Sequence, residues 1–144
     1  MAASEPMHRT TEDVDAFLSA GPRAELLHAV DRALRAGMPD VPRTLWRGVF
    51  WGGTTQAIVG YGDLRQPRPR GEDVDWFLIG LAEQKSHVSL HVNAVADGTY
   101  LAHRYADRLG RVKVGSAAVT FRRLEDIDLE VVTELAREAI RVSN

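Results

Sequence analysis

Apolar residues recur at intervals of three and four in four parts of the chain, which is the spacing of amphipathic helices. The first helix is expected after Thr10 or Thr11, either of which can cap it, and the second begins near Pro22. A third helix follows Gly98, and a last one is capped by Asp128. The apolar positions that define these helices are Val14, Phe17, Leu18, Leu26, Leu27, Val30, Leu34, Leu101, Tyr105, Leu109, Leu129, Val132, Leu135 and Ile140.

Strands are predicted between the second and third helices. Residues 44–51 and 57–61 flank a Gly-Gly pair and are expected to form an antiparallel hairpin. Residues 66–71 contain two prolines and are predicted to be a surface loop. Residues 76–81 are apolar on both alternations, which is typical of a central strand covered on both faces. After the third helix, residues 112–121 form a short extended segment that breaks at a Gly-Ser pair.

The strand near residue 90 alternates cleanly. Val88, Leu90 and Val92 point to one side, and the intervening polar residues, with His87 and His91 among them, point to the other. The order α-α-β-β-β-β-α-β-α favours an α+β fold, a two-layer sandwich with a mostly antiparallel sheet and the helices packed on one face. We expect a single domain over residues 1–144, of which about residues 1–9 form a disordered tail.

Composition and charge exclude several classes of protein. The absence of cysteine rules out a disulfide scaffold, a thiolate nucleophile and a cysteine-ligated metal. No apolar run approaches the ~20 residues that a membrane-spanning helix needs, and residues 1–11 lack the apolar core of a secretory signal. The 18 basic and 20 acidic residues nearly balance, which argues against a general nucleic-acid binder. We expect a cytoplasmic protein that binds neither nucleic acid nor membranes.

The charges are distributed unevenly near the C-terminus. Residues 103–123 hold six basic residues and one acid, whereas residues 124–144 hold six acids and two arginines. Two solvated surfaces that face each other would explain this distribution, and so would an anion-binding patch on the basic segment. Lys113 and Gly115 lie at a turn whose backbone N–H groups can cradle an anion.

Aromatic and polar residues of the strands suggest a ligand groove. Trp46 and Phe50 share one side of their strand, and Arg47 and Trp51 share the other. We expect Arg47 and Trp51 to line a groove with the polar side of strand 88–92, if both lie on the sheet face that the helices leave uncovered. Coverage of that face by the helices, or by a second copy in a homodimer, is the alternative.

The function expected from these features is non-catalytic binding of a small anionic molecule or a partner protein, without a cofactor. The residues assigned to the ligand are Arg47, Trp51, Lys85, His87, His91 and Lys113. His87 and His91 would lie ~13 Å apart along one strand, too far to share a metal ion with bonds of ~2.1 Å. No catalytic pair is recognised, so an enzyme is the less favoured class.

Six segments carry a pattern that is known from one family. They are VDAFL at 14–18, LWRG at 45–48, FLIGL at 77–81, Lys85 with HVSL at 87–90, LGRVKVG at 109–115 and VTFRRLEDID at 119–128. In these segments the chain resembles the YdhG-like domain-of-unknown-function family over nearly its whole length. It departs from the family at Val49, where proline is frequent, and at Ala117 and Ala118, where a cysteine often precedes the final strand.

The resemblance implies a small α+β sandwich similar to the frataxin fold. Some relatives are described as frataxin-like iron chaperones, while most have no assigned activity. Frataxin-type iron binding uses acids along the first helix, and the matching residues here are Glu12, Asp13 and Asp15, with Glu25 and Asp31 in the second helix. An intracellular iron-binding or chaperone protein is therefore the alternative function, and iron is a cofactor only in that case.

Overall fold

A computed structural model describes residues 6–49, 54–66 and 74–143. In these ranges the chain has an α+β architecture, as predicted. The helices are α1 (Val14–Ala20), α2 (Ala24–Gly37), α3 (Leu101–Tyr105) and α4 (Leu129–Ser143), with a 3-10 turn at Leu124–Asp126. The strands are β1 (His8–Arg9), β2 (Arg43–Val49), β3 (Thr55–Gln66), β4 (Val74–Glu83), β5 (Val88–Val92), β6 (Val95–Ala96), β7 (Thr99–Tyr100), β8 (Lys113–Val114) and β9 (Ala118–Phe121).

Seven of these strands form one sheet in the order β1-β2-β3-β4-β5-β9-β8, and β6 pairs with β7 separately. Every neighbouring pair in the large sheet is antiparallel, which confirms the predicted sheet type. The predicted hairpin is formed by β2 and β3, with Leu45 opposite Val59. Antiparallel neighbours need only short connections, and the chain supplies them between β4 and β5 and between β8 and β9.

One row of opposed side chains shows how the main core forms. Leu45, Val59, Leu81, Leu90 and Val119 face one another across β2, β3, β4, β5 and β9. All are fully buried, so the sheet presents a continuous apolar surface to whatever packs on it. The helices supply the opposite wall with Leu18, Leu27, Val30, Leu34, Leu101, Val132 and Leu135.

A second, smaller core lies on the other side of the sheet. Among the described residues it consists of Trp46, Ile58, Trp76, Phe77 and Ala82, none of which belongs to a helix. The ring centroids of Trp76 and Phe77 are 4.6 Å apart in a stacked arrangement, and Trp46 meets both rings edge-on. The tryptophan end of this face is therefore filled by the chain's own aromatic side chains and is not an open surface.

Local breaks in alternation produce the aromatic core. Trp76 and Phe77 both belong to the second core, whereas the next two residues, Leu78 and Ile79, both belong to the main core. The break lies beside Gly62 on β3, whose φ of +75° is a left-handed conformation that favours glycine. The predicted burial of residues 76–81 on both faces is confirmed.

Three predicted boundaries are wrong. Residues 8 and 9, assigned to a disordered tail, form β1, because their backbone pairs with the open edge of β2. The cap of α1 is Asp13, whose Oδ1 accepts from two backbone N–H groups, because the helix begins only at Val14; Thr10 Oγ1 accepts from the Glu12 N–H, before the helix. Gln66 continues β3, and the rest of the predicted 66–71 loop lies outside the described residues.

Candidate functional site

A cavity of about 720 Å³ lies where the β8–β9 hairpin meets the segment that leads into β5. We call it the edge cavity. Its apolar lining comes from Val112, Val114, Ala118 and Phe121. Its polar lining consists of Ser86, His87, Arg111, Lys113, Thr120 and Arg122, together with Asp126. The cavity therefore combines an apolar wall with an unusual concentration of basic groups.

Strand register brings these basic groups together. Lys113 lies opposite Thr120, and Thr120 lies opposite Ser89 on β5. Arg111 comes two residues before Lys113 and Arg122 two residues after Thr120, just outside these strands, and all four residues line the cavity. Residues that are distant in sequence thus meet on one patch of the sheet.

The cations of the edge cavity differ from most other described arginines in lacking a carboxylate partner. Arg111, Lys113 and Arg122 form no ion pair within 4.0 Å with any carboxylate in the described part of the chain. By contrast, most other described arginines have a carboxylate partner; these are Arg9, Arg23, Arg35, Arg43, Arg47, Arg65, Arg104, Arg108 and Arg141. The one acidic side chain in the lining is Asp126. The edge cavity is thus a site of uncompensated positive charge.

A second cavity, of about 520 Å³, lies between the α1–α2 turn and the ends of β3 and β4. Its charged lining residues are Arg23, Glu83 and Lys85. Arg23 and Glu83 neutralise each other across 3.3 Å, and Gln84 Nε2 donates to Gln56 Oε1 over 3.0 Å. Its polar groups largely satisfy one another, and its lining has one net positive charge, against two in the edge cavity when His87 is neutral.

The structure separates the six residues that were assigned to one ligand. His87 and Lys113 share the edge cavity, and Lys85 lines the second cavity. Trp51 lies outside the described residues. The remaining two, Arg47 and His91, lie on opposite faces of the sheet, so they cannot belong to one groove.

The predicted placement of Arg47 is wrong. Its side chain follows that of Leu45 onto the main-core side of β2, and its guanidinium lies 5.8 Å from the ring centroid of Phe17 on α1. Arg47 Nε also donates to Glu12 Oε2 over 2.5 Å. Alternation correctly placed Arg47 and Trp46 on opposite sides of β2. Both sides are covered, however: Trp46 lies in the aromatic core, and α1 packs on the side of Arg47.

His91 is held inside the second face rather than in a groove. It lies opposite Gly80 on β4 and opposite Ala118 on β9, and its ring centroid is 6.5 Å from that of Phe77. Removal from water disfavours the charged imidazolium, and this burial lowers the pKa of His91 from 6.5 to about 4. His91 is therefore neutral at physiological pH.

Acid should destabilise the protein through His91. Because the folded-state pKa is lower than the unfolded value, the unfolded chain binds this proton first, and stability that is complete above pH 6.5 is lost as the pH falls towards 4. We expect the wild type to lose about 2–3 kcal/mol more than His91→Asn over that range. Urea unfolding at pH 7 and pH 4.5 measures the difference, and equal losses in the two proteins would contradict it.

Glu12, Asp13 and Asp15, the first three acids of the iron alternative, are each engaged within the fold. Glu12 pairs with Arg47, which lowers the pKa of Glu12, and the Asp13 side chain caps α1. Asp15 accepts from Arg43 over 2.9 Å, which lowers the pKa of Asp15. In the ranges that the structure describes, no group of three or more His, Asp or Glu side chains is placed to hold a metal ion.

Sequence reasoning missed a buried polar network beneath α2. Tyr61 donates its hydroxyl proton to Asp31 Oδ1 over 2.6 Å, and Arg43 donates to both Asp31 oxygens. Burial and the adjacent carboxylate raise the pKa of Tyr61 well above its usual value. A signal was present, because Asp31 stands between Leu27 and Leu34 on the apolar stripe of its helix. A carboxylate at such a position calls for a buried partner.

Arg111 and Arg122 are the other residues that were missed at the site. Both belong to the basic segment 103–123, but their sequence spacing alone does not show that they face one cavity. The turn at residues 115–117 brings them together by folding β8 back along β9.

None of the described helices is long and apolar enough to cross a membrane. Comparisons with family models, curated proteins and solved structures find no match to this chain.

Proposed function

We propose that the protein is a non-catalytic binding module that holds a small anionic ligand in the edge cavity, with an anionic surface of a partner protein as the alternative ligand. One observation carries the proposal: Arg111, Lys113 and Arg122 share a cavity and have no carboxylate partner in the described chain. A concave site lined by one sign of charge concentrates ions of the other sign.

The lining also has the composition of a small-molecule site. Such sites are mostly apolar cavities of about 300–1,000 Å³ with a few polar groups that fix the orientation of the ligand. Ala118, on the same side of the β8–β9 hairpin as Lys113 and Thr120, offers an apolar surface, while the cations, the Thr120 hydroxyl and the His87 imidazole supply polar contacts. Ser86 Oγ lies 3.3 Å from His87 Nδ1, and both groups can contact an anion.

The proposal includes the arrangement of the layers. We infer that the four helices cover one sheet face, as in a frataxin-like sandwich of the YdhG-like type, and that the edge cavity belongs to the other face. The main core, which unites the helices with one row of strand residues, supports this arrangement. Ala82 supports it as well. It belongs to the second core and lies opposite Ser89, which lies opposite Thr120, which in turn lies opposite Lys113, so this row of side chains shares one sheet face.

Anion binding should depend on Lys113. With citrate as the probe, we expect backbone amide NMR signals of residues 111–122 to shift, and Lys113→Gln to weaken binding at least about tenfold, since a charge-assisted hydrogen bond is lost. Lys85→Gln is the matched control, because it removes the same charge from the second cavity. Shifts confined to residues 83–85, or no shifts at all, would refute the assignment to the edge cavity.

A further inference from the structure

We infer that the ligand of the edge cavity carries a doubly charged phosphate group, bound jointly by Arg111, Lys113 and Arg122. This inference rests on the proposed function and names the class of anion. It concerns a phosphorylated small molecule, because the cavity of about 720 Å³ exceeds what a free phosphate ion would fill.

The net charge of the cavity lining matches that of a phosphate group. The lining contains three permanent cations and one carboxylate, Asp126, which leaves two positive charges uncompensated when His87 is neutral. A phosphate monoester carries about −1.5 to −2 at pH 7, which matches that excess. A monocarboxylate would leave one like-charged neighbour unneutralised.

The hydrogen-bond donors of the three cations also fit a phosphate group better than a carboxylate. Each guanidinium presents five N–H donors in a planar fork, and the Lys113 ammonium adds three. A single fork satisfies both oxygens of a carboxylate, so two arginines and a lysine would exceed what one carboxylate accepts. A phosphate group has three terminal oxygens at tetrahedral angles, which allows separate donors to approach from different sides. Arg111, which precedes β8, and Arg122, which follows β9, supply two such approaches.

Ala118 provides an apolar surface for the rest of the ligand. It lies two residues before Thr120 on β9, on the side of the hairpin that carries Thr120 and Lys113, whereas Val114 lies opposite Val119 and packs against the main core. A phosphate held by the basic residues would direct its organic group along this side towards Ala118. The partly buried Ala118 gives that group a surface to cover, which free phosphate lacks.

Calorimetric titration with two dianions tests the inference. Phenyl phosphate is expected to bind at least about tenfold more tightly than phthalate, a dicarboxylate of the same charge. Arg111→Lys keeps the charge but removes the fork, and should weaken phenyl phosphate binding by about tenfold; Arg123→Lys, next to Arg122 but outside the cavity, is the control and should bind as the wild type does. Equal or tighter binding of phthalate would overturn the phosphate assignment while the proposed function stands. Failure of both dianions to bind would overturn both.

A charge reversal supplies an independent test. In Arg122→Glu a carboxylate replaces one of the crowded cations, so phenyl phosphate binding should be lost while the ligand-free protein gains about 1–4 °C in Tm. Arg123→Glu should change neither quantity appreciably. A lower Tm with phenyl phosphate affinity retained would overturn the inference, because Arg122 would then be a structural residue with no part in the site.

Discussion

Replacing Asp31 with alanine should lower the free energy of unfolding by about 3–5 kcal/mol. Asp31 is only 2% exposed, and it accepts hydrogen bonds from Tyr61 and Arg43 beneath α2. Its loss leaves the buried Tyr61 hydroxyl without its acceptor and takes from Arg43 the buried one of its two carboxylate partners, and water has little access to replace it. Urea unfolding followed by circular dichroism measures the loss.

Asp15→Ala is the matched control. Asp15 also accepts from Arg43, over 2.9 Å, but its side chain is 64% exposed. An exposed ion pair contributes about 0–1 kcal/mol, because water solvates both charges after the pair is broken. Losses of similar size in the two variants would contradict a special role for the buried network.

The periodicity of the chain predicted its elements well wherever one face is apolar and the other polar. The stripe of α2 and the alternation of β5 belong to this group, and Leu27, Leu34, Val88, Leu90 and Val92 are buried as expected. Such segments bury one face whichever neighbours they meet. The cap of the last helix was also readable, because Asp128 accepts locally from the backbone of Glu130 and Val131.

The site was less predictable because it depends on contacts between strands. The sequence does not show which side of β2 packs on α1. Because Trp46 and Arg47 are both typical of ligand grooves, residue type could not decide which of them faces the helices. The stacking of Trp76 and Phe77 depends on a break in alternation opposite Gly62, which a period of two cannot anticipate. His87 was found because it directly precedes β5 and extends the regular alternation of that strand, and Lys113 because it stands beside the turn at Gly115.

The placement of ion pairs separates structural arginines from candidate binding residues. Arg43 joins α1 and α2 to β2, Arg47 joins β2 to Glu12 just before α1, and Arg108 joins the turn after α3 to α4 through Glu134. A guanidinium that already holds a carboxylate has few donors left for a ligand. The cations of the edge cavity lack such partners in the described chain, and this distinction could not be drawn from composition, because the chain as a whole is nearly neutral.

Phe77→Ala should also cost about 3–5 kcal/mol of unfolding free energy, because it empties the centre of the aromatic core. Phe77 is fully buried, stacks on Trp76 and meets Trp46 edge-on at 5.6 Å between centroids. If the aromatic face were an open groove, truncation of this ring would cost little. Chemical unfolding gives the loss, and a value below about 1 kcal/mol would restore the groove hypothesis for that end of the sheet.

A double-mutant cycle with Gly80→Ala shows whether the ring lies where the structure places it. A Cβ at Gly80 would come within 2.5 Å of Phe77 Cε1, so Gly80→Ala should cost about 1–3 kcal/mol in the wild type through overpacking. In the Phe77→Ala background that clash is gone, and the cost should shrink to what contact with Ile58 imposes. Gly115→Ala, whose Cβ would have its nearest neighbour at 3.8 Å, should have the same small effect in both backgrounds. Equal costs of Gly80→Ala in the two backgrounds would mean that Phe77 does not cover the glycine, and that the second face is packed in another way.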